Sequence, residues 1–336
     1  MSATLLDISK KSGFSVSTVS RVLHGSSSKS KISKATSEVI RNIAREMGYH
    51  PNLLAQSLRL SRTRDIGIIV TDIGNPFFAT MVKSIAREVR SRGYSLIVCD
   101  SDEDTLLEKA AVNLLLSKKV AGLIIAPVGI ESAHLRQLQE EGGLFVTVDR
   151  CFDELDIDSV SVDNTRGSYL AVSHLIGMGH KKIAFIQGLE GTAVNTARLA
   201  GYRKAMAESG LPYDPHLVVG DDFRARNGYL QTKLLVKRKI RPTAIFASSD
   251  LIALGALEAL KEERIHVPQE VSIASFDDPG FATFLSPALT AVEQPVEKMG
   301  ELAAALLFRH LAEPETPAKK ILLDPQLQIR ESVARI

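Results

Sequence analysis

The stretch SVSTVSRVLHG, Ser15 to Gly25, carries Val19, Val22 and Leu23 at the i, i+3, i+4 spacing of a buried helix face. Its other side presents Ser17, Ser20, Arg21 and His24 instead of the Glu/Lys mixture of an ordinary solvated helix. Small hydroxyl side chains let a helix approach a duplex closely and bond its phosphates. An arginine can fork onto guanine O6 and N7 in the major groove. On these residues alone, a helical hairpin with a Ser/Thr-rich surface is the competing reading.

The flanking residues build a small domain around this stretch. Thr4 followed by Asp7 fits a capping box, Leu5 and Ile8 begin an apolar face, and Gly13 with Phe14 supplies a stop and a packing residue, which predicts a helix over 5–12. Ser15 can cap a second helix running through Leu23, and a connection this short with glycine in it forces a helix-turn-helix. After the polar loop GSSSKSK, Ser33 caps a third helix with Val39, Ile40, Ile43, Ala44 and Met47 on its apolar side and Gly48 closing it. A fourth, over NLLAQSLR, starts at Asn52 and is too short to be stable alone; SRTR then reads as a linker. That segment is either one that folds on binding or a plain interdomain connection.

Composition sets the limits. A chain of 336 residues, 45% of them hydrophobic, is long enough for two or three domains with cores of their own. The start MSATLLDISKKSG lacks the pattern of a secretory signal, and no run approaches the length of a membrane span, so a soluble cytoplasmic protein without membrane partners is expected. The two cysteines, Cys99 and Cys151, suggest neither a disulfide framework nor a zinc site. Charge is uneven: residues 1–64 carry +8 and the rest −6. Such a split favours a nucleic-acid-binding head on an ordinary body, since basic groups gain affinity by releasing phosphate counterions; a merely solvated basic surface is the alternative.

Beyond residue 64, the apolar runs IGIIVT, SLIVC, GLIIAP, LFVTV, IAFIQ, LVVG, AIFAS and VSIASF alternate with helical stretches. This is the rhythm of an α/β body of parallel sheets with helices on both faces. Asp72, Asp149, Phe223, Asp250 and Asp277 fall at strand ends, where ligands of open α/β sheets sit. Asp250 also reads as a helix N-cap. GMGHKK around Gly177 and Gly179 imitates a phosphate loop but precedes a strand, and no Walker, nucleophile-elbow or HExxH pattern occurs, so neither an enzyme nor a cofactor is expected.

The strings TLLDISKKSGFSVSTVSRVLHG, GYHPNLLAQSLR, IGIIVTDIGNPFF, VTVDR, HLIGMGHKKIAFIQG, RLAGYRKAM, AIFASSDLIALGALEAL, VPQEVSIASFDD and PALTAVEQP run through nearly the whole chain. In that order they resemble the LacI family of bacterial transcription regulators. The resemblance implies a helix-turn-helix head (1–50), a hinge helix and linker (51–64), and an effector-binding and dimerisation body (65–336). The body resembles two-lobed periplasmic binding proteins, with one lobe over 65–162 and 294–323 and the other over 163–293 and 324–336. A periplasmic binding protein itself would carry a signal peptide where this chain has its head. The family pattern places Val16, Ser17 and Arg21 on base edges and Thr4, Ser15, Thr18 and Ser20 at phosphate-contacting or capping positions. Asn52 to Arg59 matches the hinge helix, with Ala55 against its dimer mate, Leu58 wedged into the minor groove and Arg59 alongside. Asn75, Phe77, Phe78, Asp149, Arg150, Arg198, Phe223, Ser249 and Asp277 should surround a small effector, a sugar or sugar derivative, with a core position the alternative for Phe77 or Phe78. Two departures stand out: Ser9 replaces the usual alanine, implying looser packing of the first helix, and Ser249 replaces a common asparagine. The implied function is a repressor, a homodimer matched to a pseudo-palindromic operator, whose DNA affinity responds to the effector.

Overall fold

The computed structural model describes residues 3–23, 32–49, 63–239 and 241–336. It divides into two compact units, residues 1–63 and 64–336.

In the first unit, α1 (Leu5–Ser12) opens with Thr4 and Asp7 bonding each other's backbone N–H reciprocally, and Gly13 ends it at φ +74°. The Ser15 hydroxyl accepts from the Thr18 N–H at 3.2 Å to start α2 (Val16–Leu23), and Ser33 does the same for α3 (Lys34–Glu46) through the Thr36 N–H. Ile8, Val19, Val22, Ile40 and Ala44 form the shared core. Two expectations need correction. Val39 is 46% exposed; it precedes the buried Ile40 by one position and is turned away from it by about 100° round the helix. Ser9 does not loosen α1: its hydroxyl donates to the Phe14 carbonyl at 2.7 Å and ties the helix to the turn that follows.

The second unit contains two six-stranded sheets. The first comprises β1 (Asp65–Val70), β2 (Ser95–Asp100), β3 (Gly122–Ile125), β4 (Phe145–Val148), β5 (Ser159–Val162) and β11 (Lys320–Leu323), in the order β11-β5-β4-β3-β1-β2, all parallel. The second comprises β6 (Ile183–Ile186), β7 (Val218–Val219), β8 (Ala244–Ala247), β9 (Ser272–Phe276), β10 (Thr290–Glu293) and β12 (Gln326–Gln328), in the order β12-β10-β9-β8-β6-β7, with β12 alone antiparallel. Both sheets are covered on both faces, as parallel sheets require. On the first, α4 (Pro76–Ser91) and α11 (Val296–Ala312) bury Met81, Ile85, Met299 and Leu307 on one side; α5 (Thr105–Ser117) and α6 (Ala133–Glu140) bury Leu115 and Leu135 on the other. On the second, α7 (Asn164–Gly177) and α8 (Ala193–Glu208) cover one face, α9 (Ala225–Val236) and α10 (Asp250–Glu262) the other. Gly228 and Gly255 let α9 and α10 cross closely, because a Cβ at either would overlap the partner's backbone at Ile252 or Ala225.

The chain passes between the sheets three times, after β5, after β10 and after β11. Carboxyl ends of strands in both sheets therefore approach one another, and the connecting segments lie beside them. Among the described residues, no helix is long and apolar enough to cross a membrane.

Candidate effector pocket and DNA-reading face

On α2, Val19 and Val22 are buried, while Ser17 and Arg21 are exposed and Val16 is 40% exposed. Thr18 and Ser20 are half-buried, and the Ser15 hydroxyl lies 2.9 Å from those of Ser17 and Thr18. Val16, Ser17, Ser20 and Arg21 share one side of the helix because residues four apart lie one above the other. Thr4 is exposed at the start of α1, its side chain engaged with Asp7. His24, Asn52, Ala55, Leu58 and Arg59 lie outside the described residues.

The pocket is assembled from strand ends. Asp149 follows β4 and Asp277 follows β9, both in the left-handed region at φ 69° and 66°, a conformation that aspartate tolerates better than most residues. Arg198, 4% exposed on α8, lies between them. Its Nε donates to Asn164 Oδ1 at 2.8 Å and its Nη1 to the Ser248 carbonyl at 2.6 Å, with Asp277 Oδ2 3.6 Å from Nη1. The guanidinium sits 3.7 Å above the centre of the Phe276 ring, a cation–π contact that fixes its plane. Gln294, in the segment that leaves β10, donates to Asp277 Oδ1 at 2.5 Å. Arg150 makes a two-pronged bond to Glu103 at 2.6 and 2.8 Å, donates to the Val128 carbonyl, and approaches the Phe223 ring at 5.2 Å. Phe223 in turn packs over Gly188, where a Cβ would overlap its ring.

Burial dominates the electrostatics. It pushes the Asp149 carboxyl up to about 6 despite Arg150 and Arg198 nearby. Burial, then Asp277, takes Asp250 up to about 7, and burial raises Asp277 against the pull of Arg198 and Gln294. Removing a carboxylate from water disfavours its charged form, and the surrounding cations do not offset that cost.

Phe77, Asp250, Asp277, Gln294 and Pro295 line a cavity of about 460 Å³. Asn75, Asp102, Glu103, Phe223 and Arg224 line a second of about 220 Å³, bridged by the Arg224–Asp102 ion pair at 2.8 Å. Asn75 caps α4 by accepting from the Phe77 N–H, which leaves its amide N–H groups free of that duty.

Two of the sequence expectations change here. Phe78 is 4% exposed in the core of the first sheet, edge-on to Phe77; Asp149, Arg150, Arg198 and Ser249, like Phe78, line neither cavity, but the first three form the charged cluster beside them. Ser249, not Asp250, caps α10: its hydroxyl accepts from the Ile252 N–H, so Asp250 keeps an oxygen for the cavity. Glu103, Asn164, Gln294 and the Asp102–Arg224 pair were not singled out from sequence. Only Gln294 lay within a quoted signature, PALTAVEQP; no pattern marked the others.

A helix-turn-helix with an exposed Ser/Arg face, together with a two-sheet body enclosing an arginine between carboxylates, defines a ligand-responsive DNA-binding regulator. Residues 4–52 match the model of bacterial regulatory proteins, lacI family, and residues 172–333 match that of a periplasmic binding protein-like domain. The chain is 34% identical to the HTH-type transcriptional regulator DegA of Bacillus subtilis, over 99% of each. It is 33% identical to the ribose operon repressor of Haemophilus influenzae, over 98% of each. Among solved structures, the lac repressor dimer bound to operator and the anti-inducer ONPF superimposes with TM-score 0.88 at 26% identity, over 99% of this chain and 100% of that one. The transcriptional regulator CelR–cellobiose complex superimposes with TM-score 0.74 at 29% identity, over 98% and 99%. The chain belongs to the LacI family of bacterial transcription regulators.

Proposed function

We propose that this protein is a cytoplasmic repressor, without catalytic activity, whose grip on a pseudo-palindromic operator is set by a small sugar or sugar derivative held between its lobes. The observation that carries this reading is Arg198, buried between Asp149 and Asp277 where strand ends of both sheets meet. Guanidinium and carboxylate groups bond sugar hydroxyls from opposite sides, while Phe77 and Phe223 offer aromatic faces to the ring. Ser17 and Arg21, with Val16, read base edges; Thr4, Ser15, Thr18 and Ser20 secure phosphates; Asn52, Ala55, Leu58 and Arg59 act at the centre of the operator.

The division into head (1–50), hinge (51–64) and body (65–336) follows the same reading, with lobes exchanging near 162–163, 293 and 323. A homodimer is the working form. Leu106, Leu107 and Leu114 on α5 and Leu230 and Leu234 on α9 are 45–72% exposed, and Phe284 is 85% exposed; apolar side chains left open at this level need a partner surface. The effector acts by binding one lobe arrangement better than the other, which shifts operator affinity by its differential binding energy.

Selection of duplexes from a random pool, followed by titration of the selected operator with and without a sugar panel, tests this directly. A defined palindromic site whose affinity changes with one sugar is expected. Recovery of no preferred sequence would end the repressor reading; an operator indifferent to every sugar would end the effector assignment.

A further inference from the structure

We infer that the effector carries no negative charge: the pocket selects an unphosphorylated, non-acidic sugar rich in hydrogen-bond donors and rejects sugar phosphates and sugar acids. This rests on the effector reading above and narrows it to a ligand class. The charge count around the buried site carries it. Asp149, Asp250, Asp277 and Glu103 contribute four carboxylates against two guanidinium groups, Arg150 and Arg198. Arg150 is already engaged by Glu103 at 2.6 Å and by the Val128 carbonyl at 2.7 Å. Arg198 is held by Asn164, Ser248 and the Phe276 ring. Arg150 is shared between Glu103 and Asp149, whose Oδ2 lies 3.7 Å from its Nε, and Arg198 faces Asp277 at 3.6 Å, so that among the described residues Asp250 has no ion-pair partner.

Among the described residues, the rim adds no unpaired positive charge. Arg224 pairs with Asp102 at 2.8 Å, Lys298 with Glu301 at 3.5 Å, and Arg330 with Asp278 at 2.5 Å. Asp72 and Asp222, also lining the smaller cavity, bring further carboxylates.

A hydroxyl or ammonium group satisfies a carboxylate by donating to it, whereas a phosphate dianion or a carboxylate offers only acceptors. Placing like charges together in a desolvated site is unfavourable, so an anionic ligand is disfavoured twice, through repulsion and through unsatisfied acceptors. Burial is the main cause of the raised values of Asp149 and Asp250, and the neighbouring carboxylates add to it: Asp277 for both, and Glu103 for Asp149.

The test uses the full-length dimer and matched ligands: D-ribose with ribose 5-phosphate, and D-glucose with glucosamine, glucose 6-phosphate and gluconate. Thermal shift locates a binder and calorimetry measures it. A neutral sugar or glucosamine that binds, with its anionic counterpart at least about 100-fold weaker, supports the inference; the glucosamine arm tells neutral from cationic preference. An anionic member that binds as tightly as its neutral counterpart overturns the inference and leaves the effector reading standing. Binding by no member of either series overturns both. Asp250→Asn, which keeps the shape and the Leu251 N–H bond of that side chain, should cut discrimination against the phosphorylated sugar about 10-fold. Asp149→Asn should act the same way. Discrimination unchanged in both variants would overturn the charge assignment.

Discussion

Asp149→Asn in the ligand-free protein isolates the cost of the buried carboxylate. Its ordinary value of 3.8 is moved up to about 6 by burial, against Arg150 and Arg198. A folded-state value above the unfolded one means that the folded form holds its proton longer. Stability associated with this group is complete below pH 3.8 and declines as pH rises to about 6. Integrated over that interval, the loss is between about 1 and 2 kcal/mol by pH 5 and about 3 kcal/mol by pH 8. Asparagine imitates the protonated carboxyl, so the variant should be the more stable protein by up to these amounts. With melting temperature moving about 2–3 °C per kcal/mol in a body of this size, the gain is roughly 6 °C at pH 8 and about half that at pH 5. Melting curves of both proteins from pH 5 to pH 8, without ligand, measure it. Parallel pH profiles, or a variant less stable at pH 8, would refute the reasoning.

Four further outcomes are expected. Arg21→Ala should lose about 1–3 kcal/mol of discrimination between operator and random duplex with little loss on random DNA; equal losses, measured by anisotropy, would reassign Arg21 to phosphate. Arg198→Ala should abolish the ligand response in calorimetry while the protein still binds its operator, since the described partners of that side chain, Asn164, Ser248, Phe276 and Asp277, all belong to the body. Gly188→Ala should force the Phe223 ring aside and weaken effector binding about 10-fold with only a small change in melting temperature. Thr4→Ala removes the hydroxyl that accepts from the Asp7 N–H and donates to the Asp7 carboxylate, leaving the Thr4 N–H bond to Asp7 in place, and should destabilise the head by about 1 kcal/mol, seen as faster amide exchange along α1.

What could be read from the chain follows from how local each signal is. Val19 and Val22 recur at helical spacing and both are buried, so the reading helix is legible from a dozen residues. The apolar runs of β1, β3, β4, β6, β8 and β9 announce parallel strands for the same reason. Four strands gave no such signal. In β5 the sequence SVSV buries Ser159 as well as both valines, and polar–apolar alternation does not show that. β10 was quoted only as part of a signature, β11 is an edge strand, and β12 has three residues. Within the pocket, Asp149 and Asp277 follow recognisable strands and are placed by local order alone. Glu103, Asn164 and Gln294 reach the site through a turn, a helix start and an inter-sheet segment; their approach depends on how two sheets face each other. Phe77 and Phe78 are neighbours on α4, and only the rotation set by the Asn75 cap decides which one enters the core.

The three passages between the sheets have a consequence for synthesis of the protein. The first sheet lacks its α11 cover until residue 312 is made and its edge strand β11 until residue 323; the second lacks β12 until residue 328. The first lobe cannot therefore finish folding on the ribosome before residue 323 emerges, nor the second before residue 328, whereas the core of the head lies within residues 5–49. A premature stop before β11 would not trim one lobe and spare the other. It would leave both sheets open at once, with the edges of β5 and β10 unpaired, and release a chain that carries a finished DNA-reading head on a body fit for degradation.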